Sequence, residues 1–166
     1  SHFLTNDYTS AKRIANELIS QGNAALHAYN TALLYKAKST YAEGNLELAL
    51  KELQEASAAA ADENGAEAQY LVSEILFKQK KYKESVDAAY EFNSKFSGYD
   101  YWLGKSFLII ADNYAAQNEM FQARATLNSI IENSPEPEIV AEAKQKLSKM
   151  GGDTGNPADT LQKGGQ

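Results

Sequence analysis

The sequence predicts an all-α fold, an array of stacked helix–turn–helix units. Three observations carry that expectation. Small residues recur where pairs of helices would cross, at Ala11, Ala49, Ser85 and Ala123, with spacings of 38, 36 and 38. A fixed period in this range marks a stacked helical array. The same punctuation precedes each of them: Asn6-Asp7-Tyr8, Gly44-Asn45-Leu46, Lys80-Lys81-Tyr82 and Asn118-Glu119. Between these turns the apolar residues fall at helical rather than alternating spacing, and only 3 prolines interrupt the chain.

Taken in order, Thr5-Asn6-Asp7 can cap a helix from about Tyr8 to Ser20. Ala11, Ile14, Ala15, Leu18 and Ile19 lie on one of its faces. Gln21-Gly22-Asn23 is a turn, with Gly22 suited to a helix C-terminus. A helix from about Ala24 to Ala42 follows, and after Gly44-Asn45 another from Leu46 to about Ala61. Asp62-Glu63-Asn64-Gly65 reads as a break. A third pair is expected at about Ala66–Gln79 and Tyr82–Phe96, and a fourth at about Tyr101–Gln117 and Glu119–Asn133, stopped by Ser134-Pro135. Pro137 suits the first position of a last helix to about Met150. That helix is apolar at Ile139, Val140, Ala143 and Leu147 and charged on its other side, as the terminal element of a solenoid must be. The reading gives one repeat domain over 1–150, followed by a tail at 151–166 that is rich in Gly, Asp and Asn and expected to be flexible. The domain divides into a half repeat at 6–22, repeats at about 24–61, 64–96 and 101–135, and a capping helix at 137–150.

These units resemble the tetratricopeptide repeat (TPR), a helix–turn–helix of about 34 residues with a signature of Trp, Leu-Gly, Tyr, Ala, Phe and Pro. The likeness covers roughly residues 6 to 135. The crossing small residues of the second helices are Ala11, Ala49, Ser85 and Ala123, and their first-helix partners are Ala37, Ser73 and Ala111. The turn Gly survives as Gly44 and the closing Pro as Pro135. The resemblance implies a right-handed α-solenoid that acts as a non-catalytic scaffold for protein partners. The first helix matches the second half of a repeat, so the chain reads as cut inside a repeat; an ordinary N-terminal capping helix is the alternative. Segments such as Tyr82-Lys83-Glu84-Ser85 and Phe121-Gln122-Ala123-Arg124 are similar in style to bacterial TPR proteins of the cell envelope, including those associated with Tol-Pal and outer-membrane assembly. This leans toward a periplasmic or outer-membrane-associated setting.

Composition narrows the chemistry. There are no cysteines, so neither disulfides nor thiolate metal sites are available. The net charge is −6, with no block of Lys and Arg, which argues against nucleic acid. No apolar run approaches the length of a membrane span, and Ser1-His2-Phe3-Leu4-Thr5 lacks the features of a secretory leader. His2 and His27 are the only histidines. His27 reads as a surface or boundary residue, and no His–carboxylate pair has metal-ligand spacing on one helix face. The carboxylates Glu132, Glu136, Glu138 and Glu142 read as a solvated stripe. Ser94, Ser97 and Ser106 have no catalytic partners in view. No cofactor, metal, small-molecule substrate or catalytic activity is expected.

In a TPR array the first helix of each pair lines a concave groove. By resemblance, the lining residues are Leu34, Lys38 and Tyr41, then Tyr70, Glu74 and Phe77, then Leu108 and Asp112. Members that grip acidic chaperone C-termini present Lys, Asn and Arg there. The acids Glu74 and Asp112 would repel such a ligand, so a chaperone-tail receptor is not expected. The aromatic surface suits an apolar or mildly basic peptide, unless Tyr70 and Phe77 only fill gaps between helices. Trp102 and Phe107 are expected to anchor the fourth pair in the core. An exposed aromatic patch with Tyr99 and Tyr101 is the other reading. Self-association through the open flank of the first helix is the alternative function, and an accessory domain of an enzyme encoded outside this sequence is a third.

Overall fold

The computed structural model describes residues 8–20 and 26–151. Within them the chain forms eight helices: α1 (Tyr8–Ser20), α2 (Leu26–Ala42), α3 (Leu46–Ala59), α4 (Glu63–Lys78), α5 (Tyr82–Phe96), α6 (Asp100–Ala116), α7 (Met120–Asn133) and α8 (Pro137–Lys149). Each helix packs on the next, as in an all-α repeat solenoid. The expectations for 1–7, for the turn at Gln21-Gly22-Asn23 and for the tail beyond Gly151 lie outside the described residues.

The turns explain the period. Helices α2, α4 and α6 end in the same way. Gly44, Lys80 and Asn118 all take a left-handed backbone conformation, with φ of 85°, 60° and 63°. At each end two backbone bonds close the motif: Gly44 N–H to Tyr41 O (2.9 Å) and Asn45 N–H to Thr40 O (3.3 Å), then Lys80 to Phe77 and Lys81 to Leu76, then Asn118 to Ala115 and Glu119 to Tyr114. This is the Schellman closure, which satisfies the last carbonyls of a helix and reverses the chain. Glycine meets the conformation without strain only at the first turn; lysine and asparagine are held in it at the other two.

The third pair departs from expectation. Asp62-Glu63-Asn64-Gly65 does not break the chain but starts α4. The Asp62 carboxylate accepts from Asn64 N–H (3.0 Å) and Gly65 N–H (3.3 Å), capping the helix. Burial alone would raise the Asp62 carboxyl, but hydrogen bonds from the Asn64 side chain, Gly65, His27 and the Asn64 backbone hold it below its usual value. Gly65 is required by proximity, since a Cβ there would stand 2.0 Å from the Ala60 carbonyl oxygen. Ala60 itself is extended and buried, so the alanine run ends where α4 covers it.

Two rows of helices result. Helices α2, α4, α6 and α8 touch in succession and form an inner row. The outer helices α3, α5 and α7 each pack on their inner neighbours, but among the described residues no Cα of α3 comes within 8 Å of α5, nor α5 of α7. Closer approach along the inner row makes that face concave. Ala37, Ala49, Ser73, Ser85, Ala111 and Ala123 are fully buried where the pairs cross, and Ala11, on the first described helix, is only half-buried. Ser85 does more than fill space. Its hydroxyl donates to Ser73 O (2.7 Å) and accepts from Asn113 Nδ2 (2.9 Å), lacing α4, α5 and α6 together in a buried chain. Phe92, fully buried, packs with Phe96 and Ala66 against Tyr99, Trp102 and Leu103.

Candidate functional site

The residues read from sequence as groove lining divide into three groups. Leu34 and Leu108 are only 2% exposed and belong to the core. They pack inner helices onto outer ones and offer a ligand no surface, which corrects their assignment. Tyr70 is 7% exposed; its ring packs on Trp102 at 5.6 Å and lies under the Lys105 ammonium at 5.6 Å. It fills the gap between α4 and α6, the second of its two readings. Lys38, Tyr41, Glu74, Phe77 and Asp112 remain half-exposed on the inner row.

Their polar groups are engaged across helices. Tyr41 Oη donates to Glu74 (2.7 Å), and Tyr70 Oη donates to the other oxygen of the same carboxylate (3.2 Å). Lys38 pairs with Glu67. Lys105 reaches Glu142 (3.2 Å), and Lys146 holds both oxygens of Asp112 (2.9 and 3.0 Å). The Lys78 ammonium sits 4.7 Å from the Tyr41 ring centroid. Burial, reinforced by the hydrogen bond to Glu74 and its charge, pushes the Tyr41 hydroxyl well above the usual phenol range. Burial does the same to Tyr70, with the charges of Glu74, Glu142 and Asp112 adding to it. Both hydroxyls therefore stay protonated donors, and Glu74 is an internal acceptor rather than a free acid. Apart from the Tyr70–Glu74 bond, which lies within α4, these contacts join successive inner helices, so the concave face is braced before any ligand arrives.

The outer row is different. Because α3, α5 and α7 stand apart, a cleft opens between each successive pair, floored by the inner helix behind it. The α3/α5 cleft, of about 440 Å³, has Gln69, Val72 and Leu76 as floor and Glu84, Asp87, Glu91 and Lys95 on its α5 wall. Gln69 bridges it, accepting from Ser57 Oγ (2.6 Å) and donating to Ala88 O (2.9 Å). The α5/α7 cleft is larger, about 600 Å³, with a floor of Leu103, Gly104, Phe107 and Ile110. Its walls are Tyr90 on α5 and Ala125, Thr126, Ser129, Ile130 and Asn133 on α7. Trp102 and Phe107 lie partly buried against the core, and Phe107 also faces this cleft. Sequence reading did not find either cleft. The signal was present, but only visible once the outer helices are known to splay.

No curated protein and no solved structure matches the chain. Residues 101–137, which span α6, α7 and the first residue of α8, match the family model described as a tetratricopeptide repeat. Over these residues the chain is similar to a tetratricopeptide repeat, within an all-α array of stacked helix pairs. The matched TPR unit holds the crossing pair Ala111 and Ala123 and the closing Pro135, and its two helices enclose most of the larger cleft. Among the described residues, no His, Asp and Glu side chains gather as a metal site, and no helix is long and apolar enough to cross a membrane. His27 pairs with the α4 cap at Asp62 (3.3 Å) on the surface.

Proposed function

We propose that the chain is a non-catalytic scaffold for protein–protein interaction, whose concave face along α2, α4 and α6 receives a peptide or an extended segment of a partner. The observation that carries this reading is the TPR match within a run of stacked helix pairs, an architecture that works through protein partners. The half-exposed Tyr41 and Phe77 supply aromatic anchors, flanked by Lys38, Lys78 and Asp112. Cross-helix bonds hold these groups in place, which lowers the ordering cost of binding. The style of the repeat units favours a bacterial periplasmic or outer-membrane-associated setting.

The test preserves each ion pair while reversing its direction: Lys38→Glu with Glu67→Lys, and Asp112→Lys with Lys146→Asp. Affinity capture from a lysate is compared between this swap and the wild type, with thermal melting as a check on folding. A partner held by the wild type and lost by a folded swap supports the concave site. Identical captures would remove it.

A second reading rests on the first helices. Ile14 is 43% exposed and Leu26 72% exposed, which favours self-association through that flank. Light scattering over a concentration series decides it: a growing mass supports association, and a constant monomer mass excludes it.

A further inference from the structure

We propose that the cleft between α5 and α7, on the face opposite the concave one, is a second binding site, and that it takes a short peptide segment combining a bulky apolar side chain with a lysine or arginine. Its lining differs in kind from that of its counterpart one repeat earlier. Ser73 and Ala111 mark the same crossing in α4 and α6, and Ser85 and Ala123 the same crossing in α5 and α7; both pairs are 38 positions apart. Under that shift, Gln69 becomes Phe107, Asp87 becomes Ala125, Glu91 becomes Ser129 and Lys95 becomes Asn133. On the far wall, where Ala49 and Ser85 set a shift of 36, Gln54 becomes Tyr90.

Every charge of the earlier cleft is thus absent at the equivalent place in the later one, and the glutamine that bridges the earlier cleft is a phenylalanine. The outcome is a preformed apolar trough of about 600 Å³, within the range of sites that enclose a small ligand or a few side chains. Its neutral rim groups are partly spoken for: Thr126 Oγ1 donates to Gln122 O, and Asn133 Nδ2 donates to Ser129 O. Tyr90, at the rim, is 52% exposed.

One charge remains in the lining, Asp100 at the start of α6. An apolar trough with a single carboxylate at its end complements an occupant that is apolar with one cation beside it. A free fatty acid would meet the wrong charge, and an acidic peptide likewise. A bulky aliphatic or aromatic side chain in the trough, with Lys or Arg placed near Asp100, satisfies both features.

The experiment selects a phage-displayed library of random dodecapeptides on the full chain. Affinities of the enriched peptides are then measured for wild type, for Ala125→Asp/Ser129→Glu, which restores the charges of the earlier cleft, and for Asp100→Asn. Ala125 and Ser129 are exposed helix positions, so the double variant is expected to melt as the wild type does. The account predicts enriched sequences that pair Leu, Phe or Trp with Lys or Arg. It predicts at least about tenfold weaker binding to the double variant, because the trough then holds charges the apolar side chain cannot satisfy. Asp100→Asn is expected to weaken only the peptides that carry a cation. The concave charge swap described above should leave these affinities unchanged, which separates failure here from failure there. Enriched peptides without a basic residue, equal affinity for the double variant, or loss of binding in the concave swap would each overturn the proposal. So would a selection that yields no binder.

Discussion

The α3/α5 and α5/α7 clefts have the same frame and opposite linings. Each lies between two splayed outer helices and is floored by one inner helix, at positions one repeat apart. One is crossed by Gln69 and walled by Glu84, Asp87 and Glu91; the other has an apolar floor from Leu103 to Ile110, neutral walls and one carboxylate, Asp100. Fold and surface chemistry are thus kept at different positions of the repeat. The crossings are small and fully buried in each complete repeat, whereas the positions that face outward between them change chemical class from one unit to the next.

The largest effects are expected in the frame. Phe92→Ala should cost about 3–5 kcal/mol, because a fully buried ring would leave a cavity where α5 meets the starts of α4 and α6. Chemical denaturation reads it, and a loss under 1 kcal/mol would show that this junction is not part of the frame. Gly104 lies in the floor of the apolar cleft but its back is against α8: a Cβ would stand 2.6 Å from Ile139 Cγ2, and Ile139 is fully buried. Gly104→Ala should therefore cost about 1–3 kcal/mol by overpacking, seen as a lower denaturation midpoint. An unchanged midpoint would mean α8 can move away from α6 freely.

The inner-row braces should matter less. Lys146→Ala removes the pair to Asp112 on half-exposed side chains, and the expected loss is at most about 1 kcal/mol, shrinking in high salt. A salt-independent loss would point to packing instead. At the turns the sign reverses: Lys80→Gly should stabilise by roughly 0.5–1 kcal/mol, since glycine adopts a φ of 60° without strain. A decrease would show that the Lys80 side chain contributes more than its backbone costs.

Much of the frame was legible in the sequence because it is periodic. The spacing of Ala49, Ser85 and Ala123 carries the crossings, and helical apolar spacing carries the helices between them. What was missed has identifiable causes. Gly65 looked like a breaker because glycine is disfavoured in helix interiors, yet here it admits the Ala60 carbonyl at the start of α4. Lys80 gave no hint of a left-handed turn; only its equivalence to Gly44 does. Leu34 and Leu108 were assigned to the groove by analogy of position, and burial against the outer helices removed them. Glu74 read as a free acid because a sequence does not show Tyr41 and Tyr70 converging on it. The clefts depend on the distance between helices that are not neighbours in the chain, so no local pattern announces them.

The most direct measurement compares two variants of α7 by chemical denaturation against the wild type. One is Ala123→Leu, at a fully buried crossing. The other is Ala125→Asp/Ser129→Glu/Asn133→Lys, which rewrites the exposed cleft wall into that of α5. If the crossings hold the fold and the outer positions are free to vary, the first loses about 1–3 kcal/mol and the second stays within about 0.5 kcal/mol of wild type. Equal losses, or a larger loss in the rewritten wall, would contradict the separation of frame from surface.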